Sequence, residues 1–212
     1  MPGALLTGFG PFPGAPVNPT ESIIAKAAAP DRARTLVLST QYDAVPGALE
    51  AAAREKPHVV VMTGLAAAAD RVRIELLARN QIPPGRPDAS GKAFDGRVIE
   101  PGGPEILETT ADLPALFAAL RRADIEYEIS RDAGGYVCNF AYFHALKRFG
   151  AARIIFVHLP LTETAFAESA SAGFKDGPAR QRILPEAEAV RAVSAIVSSQ
   201  LGQLGQLSEI TR

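Results

Sequence analysis

The chain has 212 residues, 47% of them hydrophobic, and its 22 basic and 23 acidic side chains leave a net charge of −1. That length and apolar content support one well-buried α/β domain over residues 1–212, and the balanced charge excludes the footprint of a nucleic-acid or membrane-surface binder. A single cysteine excludes an internal disulfide and suits a reducing compartment.

Ala4 to Thr7 reads as a first strand that runs into the rigid, turn-rich loop Gly8-Phe9-Gly10-Pro11-Phe12-Pro13-Gly14. A helix starts at Asn18-Pro19-Thr20-Glu21. Asn18 suits the N-cap, Pro19 the first helical position, and Glu21 can reach back as in a capping box. Arg34 to Thr40 reads as a second strand and Val45 to Lys56 as an alanine-rich helix. Val59 to Thr63 is continuously apolar, as expected of a strand covered on both faces. Residues 81–105 are rich in Pro, Gly, Asp and Ser and form a long surface excursion with room for a hairpin. Ala111 to Ala123 is helical in pattern. Ile125 to Ile129 alternates like a half-exposed strand. Cys138 to Phe149 is helical, Ile154 to His158 is a buried strand, and Pro185 to Leu204 is a long final helix. This alternation predicts a three-layer α/β/α sandwich with a mostly parallel, twisted sheet and helices on both faces. The first residues lack a basic n-region and no stretch approaches the ~20 apolar residues of a membrane span, so the expected location is cytoplasmic.

Sites in such folds lie beyond the carboxyl ends of the strands. Cys138 sits where Asp132-Ala133-Gly134-Gly135 runs into a helix. The partial positive charge of a helix start favours negative charge on a thiol there. A buried structural cysteine is the commoner fate of a lone thiol. A polar, glycine-bearing lead-in is an odd approach to core packing but a natural one for backbone that must come close to a ligand. His158 closes an apolar strand and is the candidate base. Of the other two histidines, His58 precedes a strand at the wrong rim and His144 lies mid-helix. The third member of a hydrolytic triad is an acid that orients the base. Glu75 follows the third strand and fits that role, although the pattern alone leaves it equally a solvated glutamate paired with Arg71 or Arg79. No cluster has metal-ligand spacing, and the glycines match neither a dinucleotide nor a phosphate loop. No cofactor is expected.

Five blocks of sequence carry a resemblance. They are Leu6-Thr7-Gly8-Phe9-Gly10-Pro11-Phe12 with Val17-Asn18-Pro19-Thr20; Gly64-Leu65-Ala66 leading to Glu75 and Asn80; Gly103-Pro104; Ser130-Arg131-Asp132-Ala133-Gly134 with Tyr136-Val137-Cys138-Asn139; and Phe156-Val157-His158-Leu159-Pro160. In this order they resemble the pyroglutamyl peptidase I (pyrrolidone-carboxylate peptidase) family of cysteine peptidases over most of residues 4–161. The resemblance implies removal of an N-terminal 5-oxoproline (pyroglutamyl) residue from peptides, with Cys138 as nucleophile, His158 as base and Glu75 as the acid that orients it. It places Phe9 and Phe12 at apolar walls around the lactam and Asn18 at a polar position near the substrate. A flat, uncharged lactam suits aromatic walls and a few fixed hydrogen-bonding groups. Leu65 stands where the family has a glutamine that contacts the lactam. Asn80-Gln81-Ile82-Pro83-Pro84 stands where the family has Ala-Arg-Ile-Pro-Asp, which removes an arginine. These departures keep two other readings open: a non-catalytic relative that binds a small cyclic amide or peptide, and a triad hydrolase for another amide. The resemblance also permits a homodimer or tetramer.

Overall fold

The computed structural model describes residues 3–12, 15–27, 32–171 and 183–210, without the side chains of 170–171 and 203–210. Pro13 and Gly14, the last two residues of the expected first loop, lie outside them. In chain order the elements are β1 (Ala4–Phe9), α1 (Pro19–Ala27), β2 (Ala33–Leu38), α2 (Val45–Ala53), β3 (Val59–Leu65), β4 (Val72–Glu75), β5 (Leu77–Arg79), β6 (Ile106–Glu108), α3 (Leu113–Arg122), β7 (Tyr127–Ser130), α4 (Val137–Arg148), β8 (Arg153–Leu159), α5 (Glu163–Ser171) and α6 (Glu186–Ile210).

Six strands form one sheet in the order β2-β1-β3-β8-β4-β7. All neighbours are parallel except β4 and β8, which run antiparallel. The central strands are buried on both faces, which explains their unbroken apolar runs. Alternation along each strand divides the core. Leu6, Val59, Val61, Ile155 and Val157 pack with Ile23, Leu116, Leu120 and Val193, under α1, α3 and α6. Leu5, Phe9, Val60, Met62, Ile154 and Phe156 pack with Leu49, Phe140 and Phe143, under α2 and α4. This is the expected three-layer arrangement.

Local chemistry sets the helix starts. Asn18 Oδ1 accepts from Thr20 N at 3.2 Å and from Thr20 Oγ1 at 2.8 Å ahead of α1, so it caps as its sequence context predicts. Asp112 caps α3 by accepting from Ala115 N at 3.0 Å, and Arg121 and Arg122 occupy that helix's last turn. In α4 the cap residue Tyr136 supplies no side-chain capping hydrogen bond.

Three expectations change. The segment after β3 adds a sheet strand, β4, because Val72 and Ile74 enter the core while Arg73 and Glu75 alternate to the other face. The excursion forms no hairpin within 81–105, where the only pairing described is a Pro87–Ala93 bridge. It is closed at its base by antiparallel β5 and β6, and by Asn80, whose side chain donates to Glu100 O and accepts from Glu100 N, both at 2.8 Å. Finally, α5 fills the stretch after β8, where no helix was expected. No helix among the described residues is long and apolar enough to cross a membrane.

Candidate active site

Phe9 ends β1, Leu65 ends β3 and His158 is the penultimate residue of β8, so three strands bring their carboxyl ends to one rim. His158 shares strand parity with Ile154 and Phe156 and therefore faces α4. The antiparallel pairing of β4 supplies the rest. Arg73 lies opposite His158 and Glu75 opposite Phe156, so Glu75 is diagonal to His158 on the same face. Glu75 Oε1 lies 2.8 Å from His158 Nδ1. Glu75 is fully buried and His158 only 6% exposed. The reading of Glu75 as a solvated partner of Arg71 or Arg79 is thereby excluded; Arg71 pairs with Asp70 instead.

Cys138 enters from above, one residue inside α4 and half-buried. It sits close enough to the His158 ring to raise that ring's pKa. Gly64 makes its seat. Gly64 pairs with His158 in the sheet, and a Cβ at position 64 would lie 3.0 Å from Cys138 Sγ and 2.8 Å from Phe156 Cζ. A side chain there would occupy the space the sulfur and the ring need. Asn139, the next residue, fixes the helix start from below. Its Oδ1 accepts from Arg79 N at 2.8 Å, and its Nδ2 donates to Arg79 O at 2.8 Å and Gln81 O at 3.1 Å.

Burial pulls the His158 pKa down, but the hydrogen bonds to Cys138 and Glu75 and the charges of both outweigh it and raise the value to about 9. An imidazole held protonated at neutral pH between Cys138 and the Glu75 carboxylate can donate a proton to a leaving group.

A pocket of about 200 Å³ opens onto this group. Phe9, Phe12, Asn18, Leu65, Cys138 and His158 all line it, so every sequence-derived candidate except the buried Glu75 reaches the same cavity. The Phe9 ring packs against Phe156 at 6.5 Å and the Phe12 ring against Tyr136 at 6.1 Å. Asn18 Nδ2 donates to Gly10 O at 3.2 Å, and Thr40 Oγ1 donates to the same carbonyl at 3.2 Å. Asn18 thus combines helix capping with a place on the pocket wall. Ala133, Gly134 and Gly135 form another wall, with Gly134 at φ +84°, a conformation that favours glycine.

Thr40, Arg73, Arg86, Asp132 and Tyr136 also line the pocket and were not read from the sequence as site residues. Arg73 had a readable signal, since Val-Arg-Ile-Glu alternates and puts Arg73 on the face of Glu75. Its Nε lies 3.7 Å from Glu75 Oε1 and 3.0 Å from Glu128 Oε1, and its Nη2 donates to Ser130 Oγ at 2.9 Å. Gln81 is exposed and lines a separate cavity with Arg97 and Ile106. His58 precedes β3 at the far end of the sheet. His144 packs edge-on to Phe140, and burial, aided by Arg148, lowers its pKa to about 4. No group of three His, Cys, Asp or Glu side chains among the described residues could hold a metal ion.

The family model for pyroglutamyl peptidase matches residues 3–200. The chain is 34% identical over 204 residues to the pyrrolidone-carboxylate peptidase of Deinococcus radiodurans, with 91% of each protein covered. The crystal structure of pyrrolidone carboxyl peptidase from Thermus thermophilus superimposes with a TM-score of 0.80 at 30% identity, covering 92% of this chain and 99% of that one. The corresponding enzyme from Thermococcus litoralis gives a TM-score of 0.81 at 27% identity, covering 97% and 96%.

Proposed function

The chain belongs to the pyroglutamyl peptidase family, and from that premise we propose that it is a cytoplasmic cysteine peptidase that removes N-terminal 5-oxoproline from peptides, with Cys138, His158 and Glu75 as its triad. Residues 1–212 act as a single domain in this reading. The observation that carries it is the contact of the fully buried Glu75 carboxylate with His158 Nδ1 at 2.8 Å, on a ring that lines the same pocket as Cys138.

The Cys138 thiolate attacks the carbonyl carbon that joins pyroglutamate to the next residue. The C–S bond forms and the carbonyl oxygen becomes an oxyanion. The first N–H groups of a helix have no intrahelical acceptor. With no side-chain cap at Tyr136, those at the start of α4 are suited to hold that oxyanion. His158 then gives its proton to the departing nitrogen as the C–N bond breaks. Neutral His158 takes a proton from water, the resulting hydroxide attacks the thioester, and the C–S bond breaks to release pyroglutamic acid and restore the thiolate. Glu75 fixes the ring tautomer and stabilises the imidazolium throughout.

Phe9 and Phe12 supply walls for the flat lactam, with Asn18 beside them. Leu65 adds apolar surface where the resemblance implies a glutamine, so lactam recognition relies on Asn18 and backbone groups. The test is hydrolysis of pyroglutamyl, prolyl and free-amine fluorogenic arylamides by purified protein with reductant. Selective cleavage of the pyroglutamyl compound is expected. Cleavage of another amide alone would indicate a re-specialised hydrolase. Saturable pyroglutamyl-peptide binding without cleavage of any compound would indicate a binding protein.

A further inference from the structure

Among the described residues, one cation at the pocket has no carboxylate in salt-bridge contact with it. Arg86 is exposed and lines the cavity with Cys138. Its Cζ lies 4.1 Å from the centroid of the Tyr136 ring, a cation–π contact that restrains the guanidinium. Tyr136 is itself anchored. Its hydroxyl donates to Pro87 O at 3.0 Å, its ring packs edge-on to Tyr42 at 6.0 Å, and its backbone begins the helix that carries Cys138. Arg86 is thus held by the residue that caps the nucleophile's helix.

The other arginine and the carboxylate that line the pocket are engaged within the protein. Among the described residues Arg34, Arg71, Arg73 and Arg148 each have a carboxylate partner, whereas no carboxylate is in salt-bridge contact with Arg86. Asp88, two residues on, is buried and accepts hydrogen bonds from Tyr42, Ser90 and Lys92. Asp132 is the one carboxylate lining the pocket, and its Oδ1 accepts from Gly134 N at 3.0 Å. Arg73, the pocket's other arginine, is engaged by Glu128 and Ser130.

We propose that Arg86 is a specificity-determining residue that receives a carboxylate on the leaving side of the substrate. This rests on the pyroglutamyl-peptidase reading and deepens it. The pyroglutamyl ring carries no charge, so a charged partner for Arg86 must come from beyond the scissile bond. It is either the free α-carboxylate of a pyroglutamyl dipeptide or an acidic first leaving residue. A planar guanidinium fits both through paired N–H donors.

The test measures kcat/KM at low ionic strength for pyroglutamyl-alanine, pyroglutamyl-alanine amide and pyroglutamyl-glutamic acid amide, in wild type, Arg86→Gln and Arg86→Lys. Wild type is expected to prefer at least one carboxylate-bearing substrate over the neutral amide by roughly fivefold, the size of a well-held rim ion pair. The member of the pair that is preferred identifies the source of the carboxylate. The ratio should fall close to one in Arg86→Gln, survive in part in Arg86→Lys, and shrink with added salt. Because each ratio is internal to one variant, a general loss of stability does not imitate the effect. Equal turnover of all three by wild type, or a preference that survives in Arg86→Gln, overturns the proposal while leaving the family activity intact. Failure of wild type to cleave any of the three removes the underlying reading and this one with it.

Discussion

Gly64→Ala probes the seat of the nucleophile. The added Cβ would lie 2.8 Å from Phe156 Cζ, 3.0 Å from Phe156 Cε1 and 3.0 Å from Cys138 Sγ. Favourable carbon contacts sit about 3.5–4.0 Å apart, so the overlap is on the order of 0.5–1 Å. Phe156 is fully buried and its ring is packed against Phe9, Tyr142 and His158. The sulfur borders the pocket and has room to yield. A displacement of that size at a reacting atom costs roughly 10²-fold in rate. Overpacking of this kind destabilises by about 1–3 kcal/mol, and each kcal/mol lowers Tm by roughly 2–4 °C in a protein of this size. The assay pairs kcat/KM on a pyroglutamyl arylamide with thermal unfolding. A variant with wild-type activity and wild-type Tm would refute the placement of Cys138 Sγ against β3 beside His158.

Glu75→Gln removes the carboxylate charge beside His158 while keeping its shape. A fall in kcat of about 10²–10⁴-fold is expected, read from steady-state kinetics, because the amide favours the wrong imidazole tautomer. The pH profile is set by His158. Its folded-state pKa is raised from 6.5 to about 9, so the proton it gives the leaving amine is present at neutral pH and is lost as pH rises through 9. An alkaline limb near pH 9 is expected in kcat/KM, shifting toward lower pH in Glu75→Gln. The same shift stabilises the fold fully below pH 6.5 and progressively less between 6.5 and 9. Chemical denaturation of wild type and His158→Gln across that window should converge at the alkaline end.

The strands that carry the site were readable because they are covered on both faces. Val59–Leu65 and Arg153–Leu159 cannot alternate with polar residues, and their apolar runs announce them. Cys138 and His158 were readable by scarcity, one thiol and three histidines, together with their places at a helix start and a strand end. Glu75 could be picked out as a candidate, but the pattern alone left its partner undecided, because that partner depends on an antiparallel pairing that brings β4 alongside a strand some eighty residues away in the chain. The four residues of β4 and the three each of β5 and β6 are too short for periodicity to stand out among charged neighbours. Asn139 and Arg86 escaped for a similar reason. Each acts through a contact with the chain around or within the excursion, and turn-rich sequence does not say where its backbone returns. Asn18 could be read as a helix cap from the residues alone and as a site residue only through the resemblance, and the structure joins the two through the loop that its side chain ties to Gly10.

The most direct test of a Cys138 nucleophile is turnover of a pyroglutamyl arylamide by purified Cys138→Ala under reducing conditions, with folding verified by its thermal transition. The account predicts that kcat falls by at least ~10³-fold, since neither His158 nor the helix start can form the thioester. A folded Cys138→Ala protein that releases pyroglutamic acid at the wild-type rate would contradict it.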